Sequence, residues 1–126
     1  MNALLVFLGG GLGSLARWSL TASIQSLAEK TALHRFPIGI LTCNVLGCFL
    51  IGCLFGYFAT RNTPPWVFPL LATGFLGGFT TFSTFAKDTH SLWISGLTHL
   101  ALLKITLSVA LGVAAVFLGI KLTHAT

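Results

Sequence analysis

Charged positions are so sparse along this chain that they act as punctuation between long apolar runs. Between Arg35 and Arg61, and again between Arg61 and Lys87, there is no Asp, Glu, Lys or Arg, and each run is 25 residues long. Wound as α-helix, such a run reaches about 37 Å, enough to cross a hydrocarbon core of roughly 30 Å. The pattern predicts four helical spans, at about 2–26, 38–60, 66–95 and 100–122. Three polar connections separate them: Gln25 to Arg35 closed by Pro37, the Arg61-Asn-Thr-Pro-Pro65 turn with Trp66 behind it, and Ser95-Gly-Leu-Thr-His99. The expected fold class is an all-α integral membrane protein, a single four-helix transmembrane domain over residues 1–126.

One stretch of the third span does not read as regular helix. In Gly74-Phe-Leu-Gly-Gly-Phe-Thr-Thr-Phe-Ser-Thr-Phe85, two adjacent glycines, Gly77 and Gly78, carry maximal backbone entropy. Thr80 and Thr81 are stiff at χ1 and bond backward to helical carbonyls. The helix is expected to break near Gly77–Thr81 and to resume before Phe85. At membrane depth, broken backbone is tolerated only where it is buried in protein or lines a cavity, and it often exposes carbonyls to an ion.

Composition sharpens the membrane reading. Only 7% of residues are charged, against about 25% in an ordinary soluble domain. A buried core helix of a soluble protein does not need this apolar length twice. The net charge of +5 comes from Lys and Arg scattered singly, so no basic run suited to nucleic acid is present. Cys43, Cys48 and Cys53 recur every five residues, which turns successive thiols by about 140° on a helix at 3.6 residues per turn. They do not converge on a metal and read as small hydrophobes. The N-terminus lacks the positively charged opening of a signal peptide and is expected to belong to the mature chain.

The few polar groups inside spans are the candidate chemistry. Gly9 and Gly13 form a small-xxx-small ridge for close helix approach, and Gly39, Gly47, Gly52 and Gly56 mark the second span as tightly packed. Arg17 either snorkels to the interface with Trp18 as anchor, or lines an aqueous vestibule that favours anions. Asn44 is either an interhelical hydrogen-bonding group or a pore-facing donor. Lys87 and Asp88 either pair with each other or face water. Lys104 and Ser108 share one face of the fourth span, and Lys104 either snorkels or guards a pore mouth. His34, His90, His99 and His124 lie at connections or ends without an acid partner at useful spacing, so an enzyme is not expected.

Loop charge does not choose an orientation. With four spans, the Arg61 turn and Lys121 fall on one side and Lys30 and Arg35 on the other. This balance gives the positive-inside rule nothing to act on. Dual topology follows as the expectation, the chain inserting both ways and pairing antiparallel. Four short helices enclose little volume, which also favours a dimer.

The stretch Gly77-Gly-Phe-Thr-Thr-Phe-Ser-Thr-Phe85 resembles the motif of the Fluc/CrcB fluoride channels. Gly10-Gly-Leu-Gly13 followed by Arg17, Asn44 with Gly47, and the four-span length agree with it, so the resemblance covers essentially the whole chain. It implies an antiparallel dual-topology homodimer in a bacterial inner membrane, embedded in lipid, with two separate pores that export fluoride passively. It further implies that the Gly77 and Thr80 carbonyls hold a structural sodium ion at the dimer axis, the same pair coming from each subunit. By the same resemblance Phe82 and Phe85 are pore phenylalanines and Asn44 the pore amide; from their own chemistry, the hydroxyls of Ser83, Thr84 and Ser108 are candidate further donors, and Arg17 and Lys104 are candidates for a vestibule. This chain departs from the family pattern at Ile40, Ala86, Asp88 and Lys104, where Thr, Ser, Glu and a neutral polar group are usual.

The physics suits such a pore. A phenyl ring has a positive edge and a negative face. Ring edges offer an anion weak donors that replace some hydration without trapping it, and conduction needs binding of that strength. Phe82 and Phe85, three apart, share a helical face. A small multidrug-type transporter, also of four spans, needs an ionisable carboxylate deep in the membrane, and the first span has none. A non-transporting membrane scaffold subunit would explain the glycine ridges but not the broken helix, Asn44 and the aromatic face together.

Overall fold

Proline and glycine divide the chain into helices. The computed structural model describes residues 1–124, all helix, turn or short connection. Helix α1 spans Asn2–Ala28 and α2 spans Ile38–Phe58, entered from Pro37. After the Pro64-Pro65 turn the chain winds into a π-helical segment, Phe68–Leu76, which passes into one short α-turn, α3 (Gly77–Phe79). Helix α4 spans Phe82–Ile94 and α5 spans Thr98–His124. Gly96, at φ 76°, lets the chain turn between them. Its N–H donates to the Trp93 carbonyl and the N–H of Leu97 to that of Leu92, the paired bonds of a Schellman cap.

Three described helices, Asn2–Ala28, Ile38–Phe58 and Thr98–His124, are long and apolar enough to cross a membrane. The chain is a multi-pass membrane protein by this measure. The stretch at 66–95, expected as one broken span, is assembled from the π-helical segment, α3 and α4, none of which has that length alone. Its interruption falls at Thr80 and Thr81, whose backbones are extended (φ −94°, ψ 155° and φ −151°, ψ 119°).

Neighbouring residues give the helix directions. Gly9 lies against Leu70 and Gly74, and Gly13 against Phe75 and Phe79, so α1 runs parallel to the π-helical segment and α3. Gly39 of α2 meets Thr21 of α1, an antiparallel pair. Gly52 and Gly56 meet Val116 and Ile120, so α2 and α5 run parallel along their most extensive contact. These approaches are backbone to backbone. A Cβ on Gly13 would fall onto the Phe75 carbonyl, and one on Gly52 onto that of Val116. Helices associate in lipid through such small-residue packing, because lipid tails are as apolar as the side chains.

Candidate functional site

The interruption is held open from α2. Asn44 accepts a hydrogen bond from the Thr81 N–H at 2.9 Å through Oδ1, and its Nδ2 donates to the Thr81 carbonyl at 3.2 Å. The side-chain amide thus pairs with a main-chain peptide in both directions, as a neighbouring strand would. Thr81 then starts the next helix, its hydroxyl accepting from the Thr84 N–H at 3.3 Å, the usual service of a Thr N-cap.

These two bonds divert donors. In an uninterrupted α-helix the Thr81 N–H would reach the Gly77 carbonyl, and the Thr84 N–H that of Thr80. Here the first goes to Asn44 and the second to the Thr81 hydroxyl. Gly77 and Thr80 therefore lose their helical donors, and both residues line the same cleft. Gly78 is served differently: its carbonyl accepts from Arg17 Nε at 3.0 Å and from the Ser14 hydroxyl at 3.5 Å, both on α1. Arg17 is half-buried and turned toward the interruption, while Trp18 beside it is exposed. Among the described residues no group of three or more His, Cys, Asp or Glu converges on a metal site. The oxygens at the interruption are backbone carbonyls, hydroxyls and the Asn44 amide, all neutral. Two carbonyls relieved of their helical donors fit a hard monovalent ion of low charge.

The cleft has a volume of about 370 Å³ and is lined by Asn44, Gly47 and Cys48 of α2 together with Ala72, Leu76, Gly77, Thr80, Thr81 and Phe82. Phe82 stands at its rim, 79% exposed. Phe85 is half-buried one turn on, with ring centroids 5.5 Å apart and planes tilted by 34°. Ser83 is exposed, with its hydroxyl 3.2 Å from that of Thr81. Thr84, half-buried, accepts from the Thr81 hydroxyl at 3.2 Å.

Behind Phe85 lies a charged cluster. Lys104 of α5 is fully buried, at 0% exposure, so it does not snorkel to an interface. Its ammonium donates to the Phe85 carbonyl at 3.2 Å and pairs with Asp88 Oδ2 at 3.3 Å. It also sits 5.3 Å from the centroid of the Phe85 ring. The other Asp88 oxygen pairs with Lys87 at 3.4 Å, an ammonium that is 75% exposed. Ser108, one turn along α5, has a buried hydroxyl oxygen without a hydrogen-bond partner.

The structure therefore joins Asn44, Gly77, Thr80 and Phe82 around one cleft, and adds Ser83 and Thr84 through Thr81. Phe85 and Lys104 form the neighbouring cluster, and Arg17 approaches from the opposite side of α3. Two participants take roles that the sequence does not assign them. Thr81 carries the clamp, and its only signal was its place in the threonine pair. Asp88 holds Lys104, a pairing across sixteen residues that no local pattern announces. Cys43 is buried against Thr21, and the three cysteines are free thiols.

The chain is similar to known proteins over nearly its whole length. Residues 4–120 match the family model described as CrcB-like protein, Camphor Resistance (CrcB). The chain is 42% identical over 123 residues to a protein of Coxiella burnetii named fluoride-specific ion channel FluC, covering 95% of each. It is 43% identical over 125 residues to the protein of that name from Solibacter usitatus, covering 98% of this chain and 99% of the relative. With the one from Parabacteroides distasonis the identity is 41% over 122 residues, covering 97% and 92%.

Proposed function

The chain belongs to the CrcB family, and from that membership we propose that it is a fluoride-selective channel that lets fluoride leave the cytoplasm by passive electrodiffusion, so reducing its toxicity. It is a channel and not an enzyme. The observation that carries the reading is the family match over residues 4–120, which contains every residue of the interrupted helix and its clamp.

The geometry supports a path along the outer side of α4. Phe82 and Phe85 offer ring edges in sequence beside the Asn44 clamp, with the Ser83 and Thr84 hydroxyls between them. Neutral donors and ring edges favour an anion without holding it as a full charge would. The unpartnered Ser108 hydroxyl supplies a further donor from α5. Selectivity against chloride would rest on a narrow passage and closely spaced donors.

The functional unit in this reading is an antiparallel homodimer of four-span subunits in the inner membrane, the third span being the π-helical segment, α3 and α4 in series. Two observations support it. The cleft and Phe82 are open on the outside of a single chain, where a second copy would close them. Loop charges are also nearly balanced: Lys30, Arg35 and Lys87 lie toward one end, Arg61 and Lys121 toward the other. Arg17 and Lys104 are engaged inside the protein and add little to either side. Such a chain can insert in both orientations. At the dimer axis the Gly77 and Thr80 carbonyls of both copies would hold a sodium ion, whose charge would stabilise the facing carbonyl dipoles of two broken helices.

A proton-coupled multidrug transporter is disfavoured because Asp88, the only carboxylate within these helices, is already shared between two lysines. The direct test is growth. Bacteria stripped of their own fluoride export should regain growth in fluoride medium when they express this chain; continued sensitivity with the protein present in the membrane would refute the reading.

A further inference from the structure

We infer that Lys104 is a positioning residue for conduction, a buried positive charge that orients Phe85 and strengthens the ring edge it presents to the anion. The inference rests on the channel reading above and adds a residue to it that the fourth span of such a channel does not require.

Three observations carry it. First, the Lys104 ammonium has no exposed surface, in a chain where every other Lys and Arg is exposed or half-buried. Burying a charge is costly unless it is paired, and a purely apolar side chain would fill the same space at less cost. Second, both contacts of the ammonium with Phe85 act on one residue. It donates to the Phe85 carbonyl at 3.2 Å and lies 5.3 Å from its ring centroid, within the range of a cation–π contact. The backbone and the ring of Phe85 are thereby fixed by one group. Third, Asp88 does not cancel the charge. Its two oxygens are shared between Lys104 at 3.3 Å and Lys87 at 3.4 Å, so the cluster of one carboxylate and two ammoniums is net positive.

The consequence follows from the ring quadrupole. A cation at one side of a phenyl ring draws π-density toward itself and leaves the ring hydrogens more positive. The Phe85 edge then becomes a better donor to fluoride than an isolated ring edge. The charge itself stays behind the ring, where it attracts the anion without offering it a direct ion pair. This meets the requirement that a conducting site bind well enough to fill and weakly enough to empty.

Fluoride efflux from liposomes containing the purified protein, measured against internal fluoride concentration, tests this. Lys104→Gln keeps donors for the Phe85 carbonyl and Asp88 but removes the charge. The expected result is a protein that elutes as the parent does and needs on the order of tenfold more fluoride for half-maximal rate, the size expected of a unit charge about 12 Å from the anion, behind the ring, at an effective dielectric of about 20. Lys104→Arg, which restores the charge, should bring half-saturation back toward the parent value. Should Lys104→Gln fail to fold, Lys104→Met, which removes the same charge and leaves Asp88 paired with Lys87, should show the same shift. A folded neutral variant with the parent's half-saturation would overturn the inference. A parent that releases no fluoride would instead overturn the channel reading itself.

Discussion

Asn44 and Thr81, on different helices and 37 positions apart, are joined by two hydrogen bonds of 2.9 and 3.2 Å that copy the pairing of adjacent strands. This one side chain explains why the helix stays open at Thr80–Thr81 in a setting where exposed backbone is penalised. Replacing Asn44 by Leu keeps the approximate volume and removes both partners from the Thr81 peptide. The expected loss is about 1–3 kcal/mol for each group left unpaired, reduced to the extent that the helix re-forms across the gap. Chemical denaturation in detergent would measure it, with fluoride flux falling in parallel. A variant as stable and as active as the parent would show that the clamp is dispensable.

Phe82 and Phe85 are expected to act through their rings rather than their bulk. Phe82→Ile and Phe85→Ile retain much of the apolar volume while abolishing the positive ring edge. Both should reduce fluoride flux by at least tenfold without changing the assembly seen by size-exclusion chromatography. Unchanged flux in both variants would remove the aromatic role.

Gly13 and Gly11 offer a matched pair two residues apart. A Cβ on Gly13 collides with the Phe75 carbonyl, whereas one on Gly11 meets nothing within 4 Å. Gly13→Ala should destabilise the fold by about 1–3 kcal/mol, as overpacking at a rigid contact does. Gly11→Ala should be neutral or slightly stabilising, since Ala favours helix over Gly by about 1 kcal/mol. Thermal unfolding in detergent would compare them, and equal stability would show that α1 can shift away from the π-helical segment at little cost.

Sodium removal probes the Gly77 and Thr80 carbonyls. Exchange into a sodium-free buffer with a large organic cation should weaken the dimer or its flux, and returned sodium should restore it. Dimer stability and flux both indifferent to prolonged dialysis with a sodium-selective chelator would argue that those carbonyls have another role.

Much of this architecture was legible because membrane physics leaves large traces in a sequence. Twenty-five residues without a charge announce a crossing, and Gly77-Gly78 with Thr80-Thr81 marked the stretch in which Thr80 and Thr81 are now seen extended. What was hidden depends on three-dimensional pairing. The π-helical winding of Phe68–Leu76 has no periodic signal distinct from an α-helix in a uniformly apolar run. That an amide in an apolar span needs partners is legible for Asn44, but its choice of Thr81 follows from how α2 crosses the break. Lys104 is the least legible residue of the cluster. A lysine in an apolar span is expected to snorkel, and only the position of Asp88 one hairpin away turns it inward. Loop lysines and arginines were readable by count, whereas Arg17 needed the Gly78 carbonyl to reveal which way it points.

The most direct measurement is fluoride release from liposomes carrying the purified parent protein, followed with a fluoride electrode beside chloride-loaded vesicles. Once a potassium ionophore balances charge, the trapped fluoride should leave rapidly while chloride is retained. Vesicles that keep their fluoride, or that lose chloride equally fast, would contradict a fluoride-selective channel.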